Sequence, residues 1–500
     1  MAPSYSEINS RLLRSAIANL LRAGISFLTA LYLARELGPA EYGRFSYIVA
    51  IAMAVRQLID VQASRAFYTF ISAENRSKRF IRLFLFWMAF QLILAICLTA
   101  LFIPQFLFEW IWAEGSLSVV ILGLTAVFMQ HQFWLVVASI LESERKNFLV
   151  NSGAAFITAC HAAVLFAFSF FEVLWLNLIF TALIFEWLIG AIVLYLVGIN
   201  KENWSSKKDD KLANVFSEYI HYCAPLIPYA FISFLYTFFD RWLLQQASGF
   251  EEQAYYALAL QFSAVALIAM APLIQILWKE YAEAYERQQY EEVSALLAFY
   301  SRAACLMVSV VVAVIIPFSS EMLEFTLGSD YLQAVPALIV MLLFPCQQMV
   351  NQLLIAFLMA AKKTNLQTNV GYVFMLVSMP FCYLALAPAD WTLGGMHGGA
   401  VGLAVKIVLM QSFQLMATIY VIKRFTPISI AHPFYFFSTP VIAIIMSVSL
   451  FYVLNTLDIS VYLSMLFVAF GVPVAIISLC RYAPAVFGVS LDDLFLRRMH

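Results

Sequence analysis

Charge is what this 500-residue chain has least of. Asp, Glu, Lys and Arg make up 12% of it, while 63% is apolar and mean hydropathy is +0.85. A soluble chain carries about 25% charged residues. Half that number cannot coat several soluble domains with polar surface, so the surplus apolar side chains need a solvent other than water. A formal net charge of −1 excludes a basic nucleic-acid binder, and the apolar excess excludes a disordered scaffold. Cysteine is also scarce. The seven cysteines, at 97, 160, 223, 305, 346, 382 and 480, lie in or beside apolar segments, which indicates neither a disulfide framework nor a zinc site. Met1–Arg14 lacks the short apolar core and small-residue cleavage site of a signal peptide. Walker A, HExxH and CxxC patterns are missing, as is any nucleophile–base–acid constellation. The expectation is a membrane protein that is not an enzyme, has no cofactor and no metal, and is not driven directly by ATP.

What is present is a series of long apolar runs, too long for barrel strands of about 9–11 residues. They predict helices near 12–34, 45–71, 81–108, 117–141, 149–172, 174–198, 219–245, 254–278, 298–318, 333–360, 367–386, 399–422, 434–455 and 461–480. Fourteen spans of about 23 residues use roughly 320 residues, so no loop can hold a folded domain. Pro225, Pro228, Pro272, Pro345 and Pro473 predict bends. With the N-terminus in the cytoplasm, 21 of the 29 Lys and Arg fall on the inner side and only Arg35 and Arg44 on the outer. That bias predicts both termini in the cytoplasm.

One polar linker of any length occurs, near 199–218, and contains Asn203 to Asp210. It separates the first six helices from the next six. The expected organisation is an N-terminal six-helix lobe over 1–210, a second over 211–425, and two further helices with a cytoplasmic tail over 426–500. A faint repeat supports the division. The turn Leu37-Gly38-Pro39-Ala40-Glu41-Tyr42 is echoed 211 residues later by Ser248-Gly249-Phe250-Glu251-Glu252-Gln253. Both copies rise from the cytoplasm and turn outside, so the lobes are expected to be related by a pseudo-two-fold along the membrane normal.

Four segments carry a family likeness. Tyr32-Leu33-Ala34-Arg35-Glu36-Leu37-Gly38-Pro39-Ala40-Glu41-Tyr42-Gly43-Arg44-Phe45 resembles the turn after the first helix of the polysaccharide-biosynthesis (O-antigen and oligosaccharide-lipid) flippases. That family lies within the multidrug/oligosaccharidyl-lipid/polysaccharide exporter superfamily. Ala224-Pro225-Leu226-Ile227-Pro228 with Asp240-Arg241-Trp242 is similar to its seventh helix. Leu327-Gly328-Ser329-Asp330-Tyr331-Leu332-Gln333-Ala334 resembles its turn before helix 10, and the Gly-rich stretch Gly394–Leu403 the start of helix 12. In order, they cover about 1–425. One departure stands out: the family often has Asp-x-Gly late in helix 2, where this chain reads Asp60-Val61-Gln62-Ala63, which puts the bend there in doubt. The resemblance implies two lobes around a cavity, alternating access, and residence in the inner (plasma) membrane. The implied cargo is a polyprenyl-diphosphate-linked oligosaccharide, as in lipopolysaccharide O-antigen synthesis, moved to the outer leaflet. A polysaccharide polymerase with its chain-length machinery is the implied protein partner, alongside membrane lipid. Lipid II is the alternative cargo, and a drug/cation antiporter of the same superfamily the alternative activity.

Diphosphate, sugars and lipid tail make different demands. Arginine suits the diphosphate because its planar fork stays charged and binds two oxygens. The intramembrane cations are Arg22, Arg56, Arg65, Arg241, Arg302 and Lys406, and the acids Asp60, Glu186 and Asp240. Facing lipid, nine such charges would cost roughly 25 kcal/mol, more than a typical net stability of about 5–15 kcal/mol. They must pair or line a wet cavity, and the cationic excess favours an anionic cargo. Arg56 and Asp60, four apart on one helical face, read either as a neutralising ion pair or as a gating pair in which Asp60 takes up a proton. Arg65 and Arg302 also fit snorkelling from the cytoplasmic ends. Asp240 and Glu186 are gating or ion-coupling candidates, and the residues leave proton or sodium coupling open. Tyr222, Tyr229 and Tyr236, with Ser233 and Asp240, form a helical stripe that suits packing or a sugar platform. The amides Gln347, Gln348, Asn351, Gln352, Gln411 and Gln414 suit helix adhesion or sugar hydroxyls equally. His131, between Gln130 and Gln132, reads as a satisfied buried histidine or a proton carrier.

Overall fold

The fold was established from a computed structural model, which describes residues 5–73, 77–113, 116–198, 212–268, 271–430, 432–483 and 486–488. The linker segment Asn203 to Asp210 and the basic pair Arg497 and Arg498 lie outside the described residues.

Among the described residues every regular element is helical. In chain order they are α1 (Tyr5–Asp60), α2 (Ala63–Ala73), α3 (Lys78–Cys97), α4 (Gln105–Trp112), α5 (Leu117–Phe128), α6 (Trp134–Ser143), α7 (Asn147–Phe170), α8 (Leu176–Gly198), α9 (Leu212–Cys223), α10 (Ile227–Ile268), α11 (Ala271–Glu286) and α12 (Tyr290–Ile315). Then follow α13 (Ser319–Leu327), α14 (Val335–Met341), α15 (Phe344–Ala360), α16 (Thr364–Leu386), α17 (Gly399–Phe425), α18 (Tyr435–Thr456) and α19 (Val461–Tyr482). Twelve stretches among the described residues are long and apolar enough to cross a membrane. Helices are the natural solution there, because each backbone N–H and C=O is satisfied within its own segment.

Two of the twelve stretches, Arg14–Asp60 and Val215–Leu267, contain a break of one residue. Gly38 adopts φ 71°, ψ 170°, and Gly249 adopts φ 84°, ψ −172°. These angles belong to a region essentially reserved for glycine. Where the sequence predicts an outer turn over 35–44, helix stops and restarts around Gly38, with Pro39 at the first position after it, where a missing N–H costs nothing. The echo between the two turns thus extends to the backbone conformation.

Prolines divide the remaining long runs. Pro225 lies in the 3₁₀ turn Ala224–Leu226 ahead of α10, and Pro345 opens α15. Pro473 sits inside α19 without ending it. Two π-helical turns occur in the second and third of the twelve stretches: Leu98–Phe102 ends Arg79–Phe102, and Met129–Phe133 lies within Leu117–Ser143.

The chain forms two compact units, Met1–Ala254 and Tyr255–His500. In the first, α1 packs on α7 and α5, and α8 on α5 and α7. Its interior includes an aromatic stack of Phe67, Phe80 and Phe84, with Phe67 and Phe84 ring centroids 4.1 Å apart. Gly43 allows a close approach: a Cβ there would lie 1.8 Å from the Phe250 carbonyl oxygen. In the second unit, α12 packs on α15 and α18, and α18 on α19. The core between these elements gathers Leu306, Ala313, Phe318, Val468, Ile476 and Phe487.

Candidate functional site

The first unit gathers its charges where α1 breaks into α2. Val61 and Gln62 sit at φ 46° and 64°, the left-handed region that a β-branched residue avoids. The chain bends here without the glycine found in the related pattern. Asp60 organises the break. It is buried, at 8% exposure, and its carboxylate accepts from the Ser64 N–H at 3.2 Å and the Ser64 hydroxyl at 2.6 Å. That is the capping arrangement for the start of a helix, here α2. Gln132 Nε2 donates to the same carboxylate at 3.3 Å and also to Gln91 Oε1. Gln91 Nε2 in turn donates to the Ile59 carbonyl at 3.1 Å. Asp60 is thereby tied to α3 and to the π turn Met129–Phe133.

That π turn carries Gln130, His131 and Gln132. Its extra residue per turn re-aims successive side chains, and such turns cluster at functional sites. Gln132 is fully buried against Asp60, while His131 is half-buried. Arg56 and Arg22 both lie within electrostatic reach of His131, and Arg56 and Arg65 within reach of Asp60. Three of the six intramembrane cations thus share one neighbourhood. Arg22 and Arg65 are exposed and Arg56 is half-buried. The Arg56 Nε is buried with no hydrogen-bond partner among the described residues. One turn before Asp60, Gln57 Nε2 donates to Ser233 Oγ of α10 at 2.7 Å.

The tyrosine stripe is divided. The 3₁₀ turn Ala224–Leu226 separates Tyr222 from Tyr229 and Tyr236. Tyr222 packs edge-on against Phe70 at 5.5 Å, a packing role, and its hydroxyl lies 3.3 Å from Thr69 Oγ1. Tyr229 and Tyr236 are half-buried on α10.

The other candidates lie apart. Arg241 Nη1 donates to Gln253 Oε1 at 3.3 Å, and Gln253 returns a hydrogen bond to the Arg241 carbonyl. This exchange spans the Gly249 turn, with Asp240 buried beside it. Glu186 meets His161, which the sequence reading passed over, at 2.8 Å between α8 and α7. In the second unit Arg302 Nη1 donates to the Gly488 carbonyl at 2.8 Å, and its guanidinium lies 5.0 Å from the Tyr435 ring centre. Lys406, at 2% exposure, is on α17, and Gln347 of α15 accepts from Ser412 of α17 at 2.9 Å. Asn351 is buried on α15 and Gln348 half-buried. Among the described residues no three metal-ligating side chains converge.

Comparison with solved structures places the fold. "Lipid II flippase MurJ, inward closed conformation" matches with TM-score 0.70 at 14% identity, covering 94% of this chain and 99% of that one. An inward-facing multidrug resistance transporter of the MATE family, in the MOP superfamily, matches with TM-score 0.59 at 13% identity, covering 82% of this chain and 100% of that one. A MOP-superfamily transporter from Pyrococcus furiosus, whose binding pocket is described as reversed in polarity, matches with TM-score 0.53 at 14% identity, covering 82% and 94%. The protein therefore has the MurJ/MATE fold of multi-pass membrane transporters. It belongs to the Polysaccharide biosynthesis protein family, which matches residues 12–278. A search of curated sequences finds no match.

Proposed function

We propose that the protein is a flippase that carries a polyprenyl-diphosphate-linked oligosaccharide from the cytoplasmic to the outer leaflet by alternating access. Arg22 and Arg56 hold the diphosphate, with Arg65 towards the cytoplasmic side. The observation that carries this reading is the Arg22–Arg56–His131 neighbourhood. It is cationic, set inside apolar helices, and built on a π turn, while the nearby Asp60 is engaged by Ser64 and Gln132. Such a site suits an anionic headgroup and opposes the cationic cargo of a drug antiporter. Tyr229, Tyr236, Gln348 and Asn351 remain the candidates for sugar contacts. Arg241, Arg302 and Lys406 complete the substrate-binding set. Asp60, Asp240 and Glu186 are the candidates for gating or for proton or sodium coupling.

In this reading Gly38 and Gly249 each separate two crossings, which brings the crossings to fourteen, with both termini in the cytoplasm of a cell whose inner membrane holds the protein. The lobes run over 1–210 and 211–425, followed by the two C-terminal helices. A polymerase and its chain-length machinery would receive the cargo. The likeness in fold to a lipid II flippase supports a second reading, in which the cargo is lipid II.

The test is transbilayer movement in proteoliposomes loaded with fluorescent polyprenyl-diphosphate saccharides, run in parallel with lipid II. Arg22→Ala and Arg56→Ala are expected to slow movement at least tenfold at normal expression, corresponding to about 1.4 kcal/mol or more of lost binding. Wild-type rates in both variants would remove the diphosphate assignment, and no movement above empty vesicles with either lipid would remove the flippase reading.

A further inference from the structure

A second site lies well away from these arginines. Three connections of the first unit line an open pocket of about 420 Å³. Leu37, Glu41 and Arg44 come from the Gly38 turn, Ser116 and Val119 from the start of α5, and Leu174, Trp175, Leu176 and Asn177 from the start of α8. Its volume falls within the range of about 300–1,000 Å³ typical of small-molecule sites.

The lining mixes four polar side chains, Glu41, Arg44, Ser116 and Asn177, with apolar ones and a single aromatic ring, that of Trp175. Trp175 is 67% exposed. Its backbone N–H donates to the Val173 carbonyl at 2.9 Å, and the Val173 backbone N–H to the Phe168 carbonyl at 2.9 Å, which shapes the turn into α8 and leaves the indole ring open. An ordinary interfacial tryptophan faces lipid headgroups. This one shares its cavity with a carboxylate, a guanidinium, an amide and a hydroxyl. Arg44 is fixed between Glu41, at 3.4 Å, and the ring of Phe250, 5.1 Å from its centre, and its Nε is buried without a hydrogen-bond partner among the described residues.

That combination selects a ligand class. Glu41 and Arg44 balance in charge, so the cavity offers no net attraction to an anion. An acyl chain would leave four polar groups facing hydrocarbon, which is costly. Glu41 accepts from hydroxyls, Arg44 donates, and Asn177 and Ser116 do both. Trp175 supplies a rigid amphipathic face. We propose that this cavity binds a neutral saccharide of one or two rings, stacked on Trp175 and hydrogen-bonded by Glu41, Arg44 and Asn177. Its role rests on the flippase reading: with the proposed orientation it opens outside, where it would receive the glycan of a newly flipped lipid.

The binding itself is tested without transport. The full chain in lipid nanodiscs is probed by saturation-transfer NMR with the neutral disaccharide diacetylchitobiose and, separately, with glucuronate. Transfer to the disaccharide is expected, falling at least threefold in Trp175→Ala and Asn177→Ala and retained in Trp175→Phe, with weaker transfer to glucuronate. No transfer from the wild-type chain, transfer unchanged in both Ala variants, or stronger transfer to glucuronate would overturn the proposal. A chain that binds the disaccharide but moves no lipid would remove the flippase reading and leave the site standing. A chain that moves lipid without binding would do the reverse.

Discussion

At the scale of single residues, backbone angles matter as much as charges. Gly38 and Gly249 have no atom within 4 Å of an added Cβ, so what excludes a side chain there is conformation rather than space. Gly38→Ala and Gly249→Ala are each expected to lower stability by about 1–3 kcal/mol, read as a lower melting temperature in detergent. Val61 is the converse case, because a β-branched residue already occupies the left-handed region. Val61→Gly relieves about 1–2 kcal/mol of strain, partly offset by the roughly 0.5–1 kcal/mol entropic cost of glycine. It is expected to melt at or slightly above the wild-type temperature, and a clear drop would show that the Val61 side chain contributes packing that outweighs its strain. The sequence signals both turns, since a glycine between helix-forming residues marks a break. It gives no sign that Val61 would adopt a glycine-like angle. The angle sits beside Asp60, whose hydrogen bond from Gln132 is a long-range contact that the local sequence does not carry.

At the scale of elements, the joint between α1 and α2 depends on a cap. Asp60→Ala removes the acceptor for Ser64 and leaves Gln132 without its carboxylate partner, so a loss of about 1–3 kcal/mol is expected. Asp60→Asn retains an acceptor for the Ser64 N–H, so its stability should lie much closer to wild type. If Asp60→Asn moves lipid normally while Asp60→Ala unfolds, the residue is architectural; if Asp60→Asn folds but stops transport, its charge takes part in the cycle. The Arg56 to Asp60 spacing was readable as a same-face pair, but the hydrogen-bond partners Ser64 and Gln132 were not. Gln132 reaches Asp60 from another helix through a π turn, and a period of 3.6 residues cannot anticipate a π turn. His161 opposite Glu186 was missed for a similar reason. Each is one polar residue in a separate apolar run, and nothing local says that the two runs are neighbours. The division of the tyrosine stripe was foreshadowed by Pro225, which ends the geometry on which the seven-residue spacing relies.

At the scale of the whole molecule, composition alone sufficed for the class, because a chain with 12% charge cannot dissolve its helices in water. The order of the apolar runs is largely the order of the helices, and the 21-to-2 distribution of Lys and Arg supplies an orientation. That orientation predicts that single cysteines, introduced at Asn177 and at Lys362 into a chain whose native cysteines are replaced, will label oppositely. In intact cells an impermeant maleimide should reach position 177 and should reach position 362 only after the membrane is opened. The reverse pattern would invert the topology and with it the direction of transport. What composition could not reveal is the grouping of charges. Arg22 and Arg56 of α1 and Arg65 of α2 lie around His131 and Asp60, whereas Arg302 is directed to the Gly488 carbonyl.

On the fourteen-crossing topology proposed above, the one-residue turn at Gly38 also constrains how the protein enters its membrane during synthesis. A loop of ordinary length lets one crossing settle while the next still lies in the translocon. Here the second crossing begins immediately after the first, with Arg35, Glu36, Glu41 and Arg44 as the charges clustered at the tip. The two would then insert as a single helical hairpin, carrying only that small cluster across the bilayer, and a hairpin around Gly249 would repeat the manoeuvre later in translation.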